Sequence, residues 1–178
     1  MTFVALLRGI NVGKSIQIPM KTLKSIMGDI GLENAITYLN SGNVVFDSNK
    51  NSQELMELIG NELEKEYQQK IPTLVKTAQE IIEIAKSIPT EWSSDKYEQT
   101  YVAYLFKEAA RPEIISELPI KKEYMNIMYS HEAIIWNIKR EFYNKSQITK
   151  IVGHSSYKLM TTRNVNTARN LAKLCKTR

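Results

Sequence analysis

One succession of predicted strands and helices occurs twice along the chain, and it limits the available folds more than any other feature. Residues 1–88 predict strand, helix, strand, strand, helix, strand and a trailing helix, and residues 101–178 predict the same order. The polar segment 89–100, PTEWSSDKYEQT, is the predicted linker. The order βαββαβ is that of a ferredoxin-like sandwich. We therefore expect an α+β protein of two tandem ferredoxin-like repeats, each with an extra trailing helix.

Apolar periodicity and turn residues delimit the elements of the first repeat. A strand over 3–7 precedes a helix that starts with Pro19 and stops at Gly31. The segment Asn40-Ser41-Gly42-Asn43 predicts the turn of a hairpin. The other predicted elements are strands 35–39 and 44–46, a helix 52–69, a strand 73–76, and a helix that begins at a Thr77/Glu80 capping box and buries Ile81, Ala85 and Ile88.

The second repeat follows the same order with weaker signals. Its most tentative element is a weak helix over 145–152, and its clearest is a final helix over 164–176 with Val165, Ala168, Ala172 and Cys175 inside. The remaining predicted elements are strands 101–106, 124–129, 133–138 and 159–162 and a short helix 112–118.

The opening strand of each repeat is apolar at successive positions, over 3–7 and 102–106. A strand with one wet face alternates between apolar and polar residues, whereas a continuous apolar run indicates that both faces are covered. We therefore expect neither sheet to be an open platform for ligands.

Charge is distributed unevenly. The chain has 24 Lys and Arg against 19 Asp and Glu, a net charge of +5, yet segment 142–178 contains no acidic residue. This basic segment suggests an anionic partner, either nucleic acid or a phosphorylated small molecule. The alternative is a solvated basic tail that docks on the acidic remainder.

Cysteine and histidine are scarce. The single Cys175 excludes an intramolecular disulfide framework and a Cys-rich zinc site, and His131 and His154 leave little for a histidine-based metal site. We therefore expect neither a metal nor a cofactor. No apolar stretch is long enough to span a bilayer, and the N-terminus predicts a strand rather than a signal peptide. The expected location is cytoplasmic, with no membrane partner.

The first candidate site is Arg8-Gly9-Ile10-Asn11-Val12-Gly13-Lys14-Ser15, which follows a predicted strand. A phosphate-binding P-loop requires GxxxxGK[ST], and this spacing is one residue short. The helix is also expected only at Pro19. A looser glycine-rich anion site remains open, as does a plain strand-to-helix turn whose glycines allow positive φ.

The second candidate, Ser41-Gly42-Asn43-Val44-Val45-Phe46, resembles an RNA-recognition strand. That motif needs aromatic side chains that stack on bases, but Asn43 and Val45 occupy the corresponding positions. A hairpin turn explains the same residues.

The third candidate is the predicted helix start Arg163-Asn164-Val165-Asn166-Thr167. The helix N-terminus favours an anion and Arg163 adds a bidentate donor, but capping by Asn164 or Thr167 accounts for the pattern equally. The same helix carries a basic stripe that is either a solvated face or a binding surface. The stripe consists of Arg169, Lys173 and Lys176.

With LLRGINVG at 6–13, SGNVVF at 41–46 and TTRNVNT at 161–167, the chain resembles a bacterial family called domain of unknown function 1697. The resemblance implies ferredoxin-like repeats and no established activity, substrate or cofactor. The family usually has a glycine in place of Lys14 and a tryptophan in place of Val165. The recurrent residues of the family correspond here to Arg8, Gly9, Asn11, Gly13, Ser41, Gly42, Asn43, Arg163, Asn164, Asn166 and Thr167.

These residues define the leading hypothesis, a binder of a phosphate- or carboxylate-bearing small ligand in a cleft between the repeats. Arg8 and Arg163 would be charge partners, Gly9 and Gly13 would let the ligand approach the backbone, and Asn11, Asn43 and Asn166 would orient it. The alternative is a nucleic-acid-binding protein that uses the basic 142–178 segment, with Lys158, Arg169, Lys173 and Lys176. A third hypothesis is an enzyme acting on a phosphorylated substrate, although no catalytic constellation is visible and the oligomeric state is open.

Overall fold

Two four-stranded antiparallel sheets and their helices make up this mixed α+β protein. The computed structural model describes all residues from 1 to 178. The chain divides into two units, which are described separately. Unit 1 contains Met1–Ile82 and Leu171–Arg178, and unit 2 contains Glu83–Asn170.

The sheet of unit 1 has the strand order β2-β3-β1-β4, and β1 pairs with both β3 and β4. Each neighbouring pair is antiparallel. The elements in chain order are β1 (Thr2–Leu7), α1 (Met20–Asp29), β2 (Glu33–Tyr38), β3 (Asn43–Asp47), α2 (Ser52–Tyr67), β4 (Thr73–Thr77) and α3 (Ala78–Ser87).

Local signals place the helix ends close to where the sequence predicts them. Pro19 is the residue before α1, and after the helix Gly31 adopts φ +80°, a conformation that suits glycine. Asn51 caps α2 in a reciprocal capping box with Glu54. The predicted Thr77/Glu80 box is also present, because the Thr77 amide donates to Glu80 and the Glu80 amide donates to the Thr77 hydroxyl.

The core of unit 1 lies against one face of its sheet. Apolar residues of β1 and β3 pack there with the inner faces of α1 and α2, and Phe3 and Phe46 stack with ring centroids 6.0 Å apart. The fully buried members include Ala5, Leu23, Met27, Val44, Leu55, Ile59 and Leu63.

The sheet of unit 2 has the corresponding strand order, β6-β7-β5-β8, and it is also antiparallel throughout. Its helix α4 is only four residues long, and several connections are 3₁₀ turns. The elements are β5 (Glu98–Leu105), α4 (Ile114–Glu117), β6 (Asn126–Ser130), β7 (Ala133–Lys139), β8 (Met160–Asn164) and α5 (Val165–Lys176), with 3₁₀ turns at Lys107–Ala109, Lys122–Tyr124, Arg140–Phe142, Ile148–Gly153 and Ser155–Leu159. The residues of α5 from Leu171 onward belong to unit 1.

The predicted helix over 145–152 is wrong, because 3₁₀ turns occupy this connection. Gln147 has φ +58°, outside the helical region. The Ser146 hydroxyl bonds to the Tyr143 carbonyl and accepts from the Ile148 amide, so it competes with helical backbone bonds. The predicted linker is also shorter than 89–100, since β5 already begins at Glu98.

The expectation that both faces of the opening strands are covered is confirmed. Phe3–Leu7 are all buried, and so are Val102–Leu105. Side chains of successive strand residues point to opposite faces. Neither sheet therefore has a solvent-exposed face at its opening strand, β1 or β5.

Candidate functional site

The loop between β1 and α1 carries the first group of candidate residues. Gly9, Asn11 and Gly13 all have positive φ, of +70°, +54° and +55°. The Asn11 side chain holds the loop closed: its Oδ1 accepts from the Ile18 amide at 2.7 Å, and its Nδ2 donates to the Ile18 carbonyl at 3.0 Å. Asparagine tolerates the left-handed region better than most residues. Asn11 therefore shapes this loop as a structural residue.

The tip of the loop is a tight turn and not a P-loop. The Ser15 amide donates to the Val12 carbonyl at 3.0 Å, and the Val12 amide donates to the Ser15 hydroxyl at 2.9 Å. A P-loop instead directs its amides at phosphate and starts its helix at the lysine. Here α1 begins only at Met20, well after Lys14. The glycine-rich segment is therefore a closed loop with an exposed tip.

The turn between β2 and β3 lies beside this loop. The Leu7 amide donates to the Gly42 carbonyl at 2.8 Å, and Asn11 Nδ2 donates to the Asn40 carbonyl at 2.8 Å. Gly42 has φ +72°, and a Cβ added there would lie 2.7 Å from the Leu7 Cβ. Only glycine fits this approach.

Asn43 is fully buried at the same place, and its Nδ2 donates to the Tyr38 carbonyl and the Ser41 hydroxyl. The structure thus brings together one set of the candidate residues at one end of the unit 1 sheet. Two of them, Asn11 and Asn43, form side-chain hydrogen bonds with main-chain groups. The set comprises Arg8, Gly9, Asn11, Gly13, Ser41, Gly42 and Asn43.

Arg163 lies in β8 of unit 2 and is only 6% exposed. Its Nη1 donates to the Thr161 hydroxyl at 2.8 Å and to the Thr162 carbonyl at 2.9 Å. Burial lowers the pKa of its guanidinium to about 10, partly opposed by Tyr104. The strand extends to Asn164 and not to the predicted Thr162, and for that reason Arg163 belongs to the sheet.

The start of α5 is capped by its own residues, which confirms the capping interpretation of Asn164. The Asn164 Oδ1 accepts from the Asn166 amide at 2.9 Å, and its Nδ2 donates to Ser94 Oγ at 2.8 Å. Thr167 is buried and Asn166 is exposed.

The basic residues of the nucleic-acid alternative differ in exposure. Lys158, Lys173 and Lys176 are exposed. Arg169 is partly buried, and its Nη2 donates to the Pro89 carbonyl at 2.9 Å. Arg169 is therefore a structural contact within unit 2, and the exposed stripe on α5 consists of the two lysines.

The two groups of residues that the leading hypothesis combines in one site belong to different units. The set around Arg8 lies in unit 1, and the segment Arg163–Thr167 lies in unit 2. That the two sets form one cleft stays a prediction.

Sequence reasoning missed one cluster of functional groups in unit 2. A cleft is lined by Lys96, Tyr97, Glu98, Lys139, Arg140 and Glu141. Lys96 and Tyr97 precede β5 and Glu98 begins it, whereas Lys139 ends β7 and Arg140 and Glu141 follow it. The pairing of Glu98 with Lys139 brings the two groups together. No spacing rule along the chain would have found this cluster, because only the β5–β7 register creates it.

Two further features concern metal binding and the membrane. No group of three or more His, Cys, Asp or Glu side chains is arranged to hold a metal ion. None of the helices has the length and apolarity that crossing a membrane requires.

These features define a mixed α+β protein with two four-stranded antiparallel sheets and a loop-borne candidate site. Residues 1–136 match the family described as "Protein of unknown function (DUF1697)", and the chain belongs to this family. The match includes the set around Arg8 but ends before Arg163. The resemblance at the LLRGINVG and SGNVVF motifs is thus supported.

Among solved structures, the chain is similar to "conserved bacterial protein SP0830 from Streptococcus pneumoniae". The TM-score is 0.79 at 24% sequence identity, and the similarity covers 98% of each chain. At this identity the comparison supports the fold alone. A comparison with curated proteins finds no match.

Proposed function

We propose that this protein binds a phosphate- or carboxylate-bearing small ligand, and that the Arg8–Ile18 loop of unit 1 contributes to the binding site. The observation that carries the proposal is the Asn11 clamp, which fixes the loop through three hydrogen bonds with Ile18 and Asn40. A loop ordered before binding loses less conformational entropy when a ligand arrives.

The charge of the loop favours an anion. It contains Arg8 and Lys14 and no acidic residue, and Lys14 is exposed. Hydrogen bonds in which the donor is charged are about twice as strong as neutral ones. Both cations are therefore candidates for direct contacts with phosphate or carboxylate oxygens.

The glycines of the loop leave room for the ligand. A Cβ added at Gly9 or Gly13 would meet no atom within 4 Å, so open space lies beside the backbone at both positions. A ligand is able to approach the main chain there without a steric conflict.

Isothermal titration calorimetry with inorganic phosphate, pyrophosphate and citrate tests the proposal. The wild-type protein is expected to bind at least one of these probes. Arg8→Gln is expected to weaken the affinity about tenfold or more, the loss typical of a charge-assisted hydrogen bond, and Lys14→Gln is expected to weaken it less because its exposed side chain is solvated.

Lys50→Gln is the matched control for these two variants. Lys50 is an exposed lysine of unit 1 that follows β3, and β3 runs from the turn beside the loop to the other end of the sheet. Absence of binding by all three probes, or equal affinities for the Arg8→Gln and Lys50→Gln proteins, would contradict the proposal.

A second candidate function is nucleic-acid binding by segment 142–178. The exposure of Lys158, Lys173 and Lys176 in a stretch without acidic residues favours it. Fluorescence anisotropy of labelled single-stranded RNA and duplex DNA at about 50 and 200 mM salt is the test, since phosphate contacts give steep salt dependence. Binding that survives Lys173→Glu with Lys176→Glu would exclude the exposed lysines of α5 as the binding surface.

We infer in addition that each half of the chain is a ferredoxin-like repeat. The orders β2-β3-β1-β4 and β6-β7-β5-β8 are equivalent when each repeat is numbered from its own first strand. Two split βαβ crossovers in one antiparallel sheet generate this order. In the second repeat, 3₁₀ turns stand in place of the second helix.

A further inference from the structure

The cleft that Lys96, Tyr97, Lys139 and Arg140 line lies at the end of the unit 2 sheet where β5 begins and β7 ends. Its volume is about 480 Å³. That size is within the range of small-ligand sites, which is roughly 300–1,000 Å³.

The backbone around the cleft is held by two residues. The Asp95 carboxylate accepts from the amides of Tyr97 and Glu98, at 2.7 and 3.1 Å. Arg140 joins the two strand ends, because its amide donates to the Tyr97 carbonyl at 2.8 Å and its Nε donates to the Asp95 carbonyl at 2.7 Å. The position of Tyr97 is therefore set before any ligand binds.

The Tyr97 ring is exposed to solvent and is not packed in a core. Tyr97 is 69% exposed, whereas large aromatic residues usually bury most of their surface. Lys96 Nζ lies 4.8 Å from the ring centroid, so a cation already accompanies the π system. An exposed aromatic ring next to a cation suits a flat aromatic group that carries negative charge.

Two of the three cations are available to such a group. Neither Lys96 nor Lys139 has an ion-pair partner. Glu98 pairs with Lys139 in the strand register, but its carboxylate instead accepts from the Ser93 amide and hydroxyl. Neither lysine is therefore in an ion pair, although the carboxylates of Glu98 and Glu141 also line the cleft.

The carboxylates near the cleft are held by other donors. Hydrogen bonds from the Tyr97 and Glu98 amides lower the pKa of Asp95. Burial raises the pKa of Glu98, but hydrogen bonds from Ser93 and Asn137 outweigh it and the net pKa is lowered. Glu141 is the remaining acid of the lining, and its carboxylate is a hydrogen-bond acceptor.

We infer that this cleft binds a nucleotide, with the base stacked on Tyr97 and the phosphate held by Lys96 and Lys139. Base stacking on an aromatic side chain combined with lysine contacts to phosphate is the general chemistry of single-strand recognition. A single-stranded nucleic acid and a free mononucleotide both carry a base and a phosphate. The same site therefore suits both kinds of ligand. A nucleotide also offers hydroxyl and amino donors for which the Glu141 carboxylate is an acceptor.

Anisotropy of a fluorescein-labelled single-stranded RNA of about ten nucleotides, a length that covers a typical site, tests the inference on the full chain. Wild-type protein is expected to bind at about 50 mM salt and to weaken steeply at about 200 mM. Competition with unlabelled AMP distinguishes the sources: displacement by AMP identifies a mononucleotide site, and displacement by unlabelled RNA alone identifies a strand site. Inorganic phosphate should compete poorly in both cases.

Tyr97→Ala is expected to weaken RNA binding about tenfold, the loss typical of one base stack, and Tyr97→Phe to retain it. Lys139→Gln should weaken binding and reduce the salt slope by about one. Lys107→Gln, an exposed lysine of the same unit outside the cleft, is the control. No binding to RNA or AMP, or equal affinities for Tyr97→Ala and wild type, overturns the inference.

The result is separable from the proposed loop site. RNA and AMP binding with Tyr97→Ala tests the cleft, whereas binding of inorganic phosphate, pyrophosphate and citrate with Arg8→Gln tests the loop, so either proposal can fail without the other. Loss of RNA binding in the Lys173→Glu and Lys176→Glu protein, with none in Tyr97→Ala, would assign the binding to α5 and overturn the inference.

Discussion

Asn11 Nδ2 lies 2.8 Å from the carbonyl oxygen of Asn40, and this hydrogen bond joins two loops that are distant in the chain. The same amide nitrogen also donates to the Ile18 carbonyl, and Asn11 Oδ1 accepts from the Ile18 amide. One side chain thus fixes both ends of the β1–α1 loop and its neighbour. The exposed loop tip carrying Gly13 and Lys14 depends on it.

Replacement of Asn11 by alanine is expected to destabilise the protein by about 2 kcal/mol, from the lost hydrogen bonds and the positive φ together. Hydrogen exchange at the Ile18 amide is the direct readout, since that amide loses its acceptor and should exchange faster. Asn11→Gly is the control for backbone strain, because glycine accepts φ +54°. Equal protection of the Ile18 amide from exchange in the wild-type and Asn11→Ala proteins would contradict the role of Asn11 in fixing the loop.

Gly42 and Gly13 separate steric conflict from backbone strain. Both have positive φ, but an added Cβ at Gly42 would lie 2.7 Å from the Leu7 Cβ, whereas at Gly13 it would meet nothing within 4 Å. Gly13→Ala should therefore cost about 1 kcal/mol of strain, and Gly42→Ala about 3 kcal/mol or more. Urea denaturation followed by circular dichroism measures both losses of stability, and similar losses in the two variants would refute the close contact of Gly42 with Leu7.

Elements with local signals could be predicted from the sequence. Gly31 stops α1, the Thr77/Glu80 box starts α3, and the Asn40–Asn43 segment turns between β2 and β3, because each depends on a few adjacent residues. The successive apolar residues of β1 likewise predicted its burial on both faces.

The roles of the candidate site residues were harder to predict. That Asn11 bonds to Asn40 depends on the packing of two loops, which no spacing reveals. The sequence predicts Arg163 at a helix start because it predicts a strand that ends at Thr162. In the structure the strand continues, and its period of two places Arg163 beside Thr161 on one buried face. The sequence places Tyr97 only in the predicted linker, because the distant residues that line the cleft with it come from β7 and the turn that follows.

Asp47 is expected to titrate below its usual range. Hydrogen bonds from Asn34 Nδ2 and Thr2 Oγ1, at 2.9 and 2.7 Å, lower its pKa, and Arg178 at 3.7 Å assists. Because the folded pKa is depressed, the unfolded state binds more protons in acid. The stability contribution is thus present above the unfolded value near pH 4 and lost as pH falls through the folded pKa.

Two variants check the order of these causes by carbon-detected NMR titration of the Asp47 carboxyl. Asn34→Gly removes the amide donor and keeps the positive φ of +52° at this position, so it should raise the pKa more than Arg178→Ala does. A larger rise in the Arg178→Ala protein would mean that the ion pair, and not the hydrogen bond, is the main cause.

Cys175 is expected to report the opening of unit 1. The thiol is 5% exposed, and burial raises its pKa to about 11, partly opposed by Arg178. The thiolate is the reactive form, so a rise of about two pKa units lowers the reactive fraction roughly a hundredfold at a given pH. Alkylation with iodoacetamide near pH 8 should therefore be at least that much slower in native protein than in urea. The native rate should also increase in Gly42→Ala, which destabilises the same unit, and hardly at all in Lys50→Gln. Rapid alkylation of native wild-type protein would show that the last turn of α5 opens readily and that Cys175 is not buried in solution.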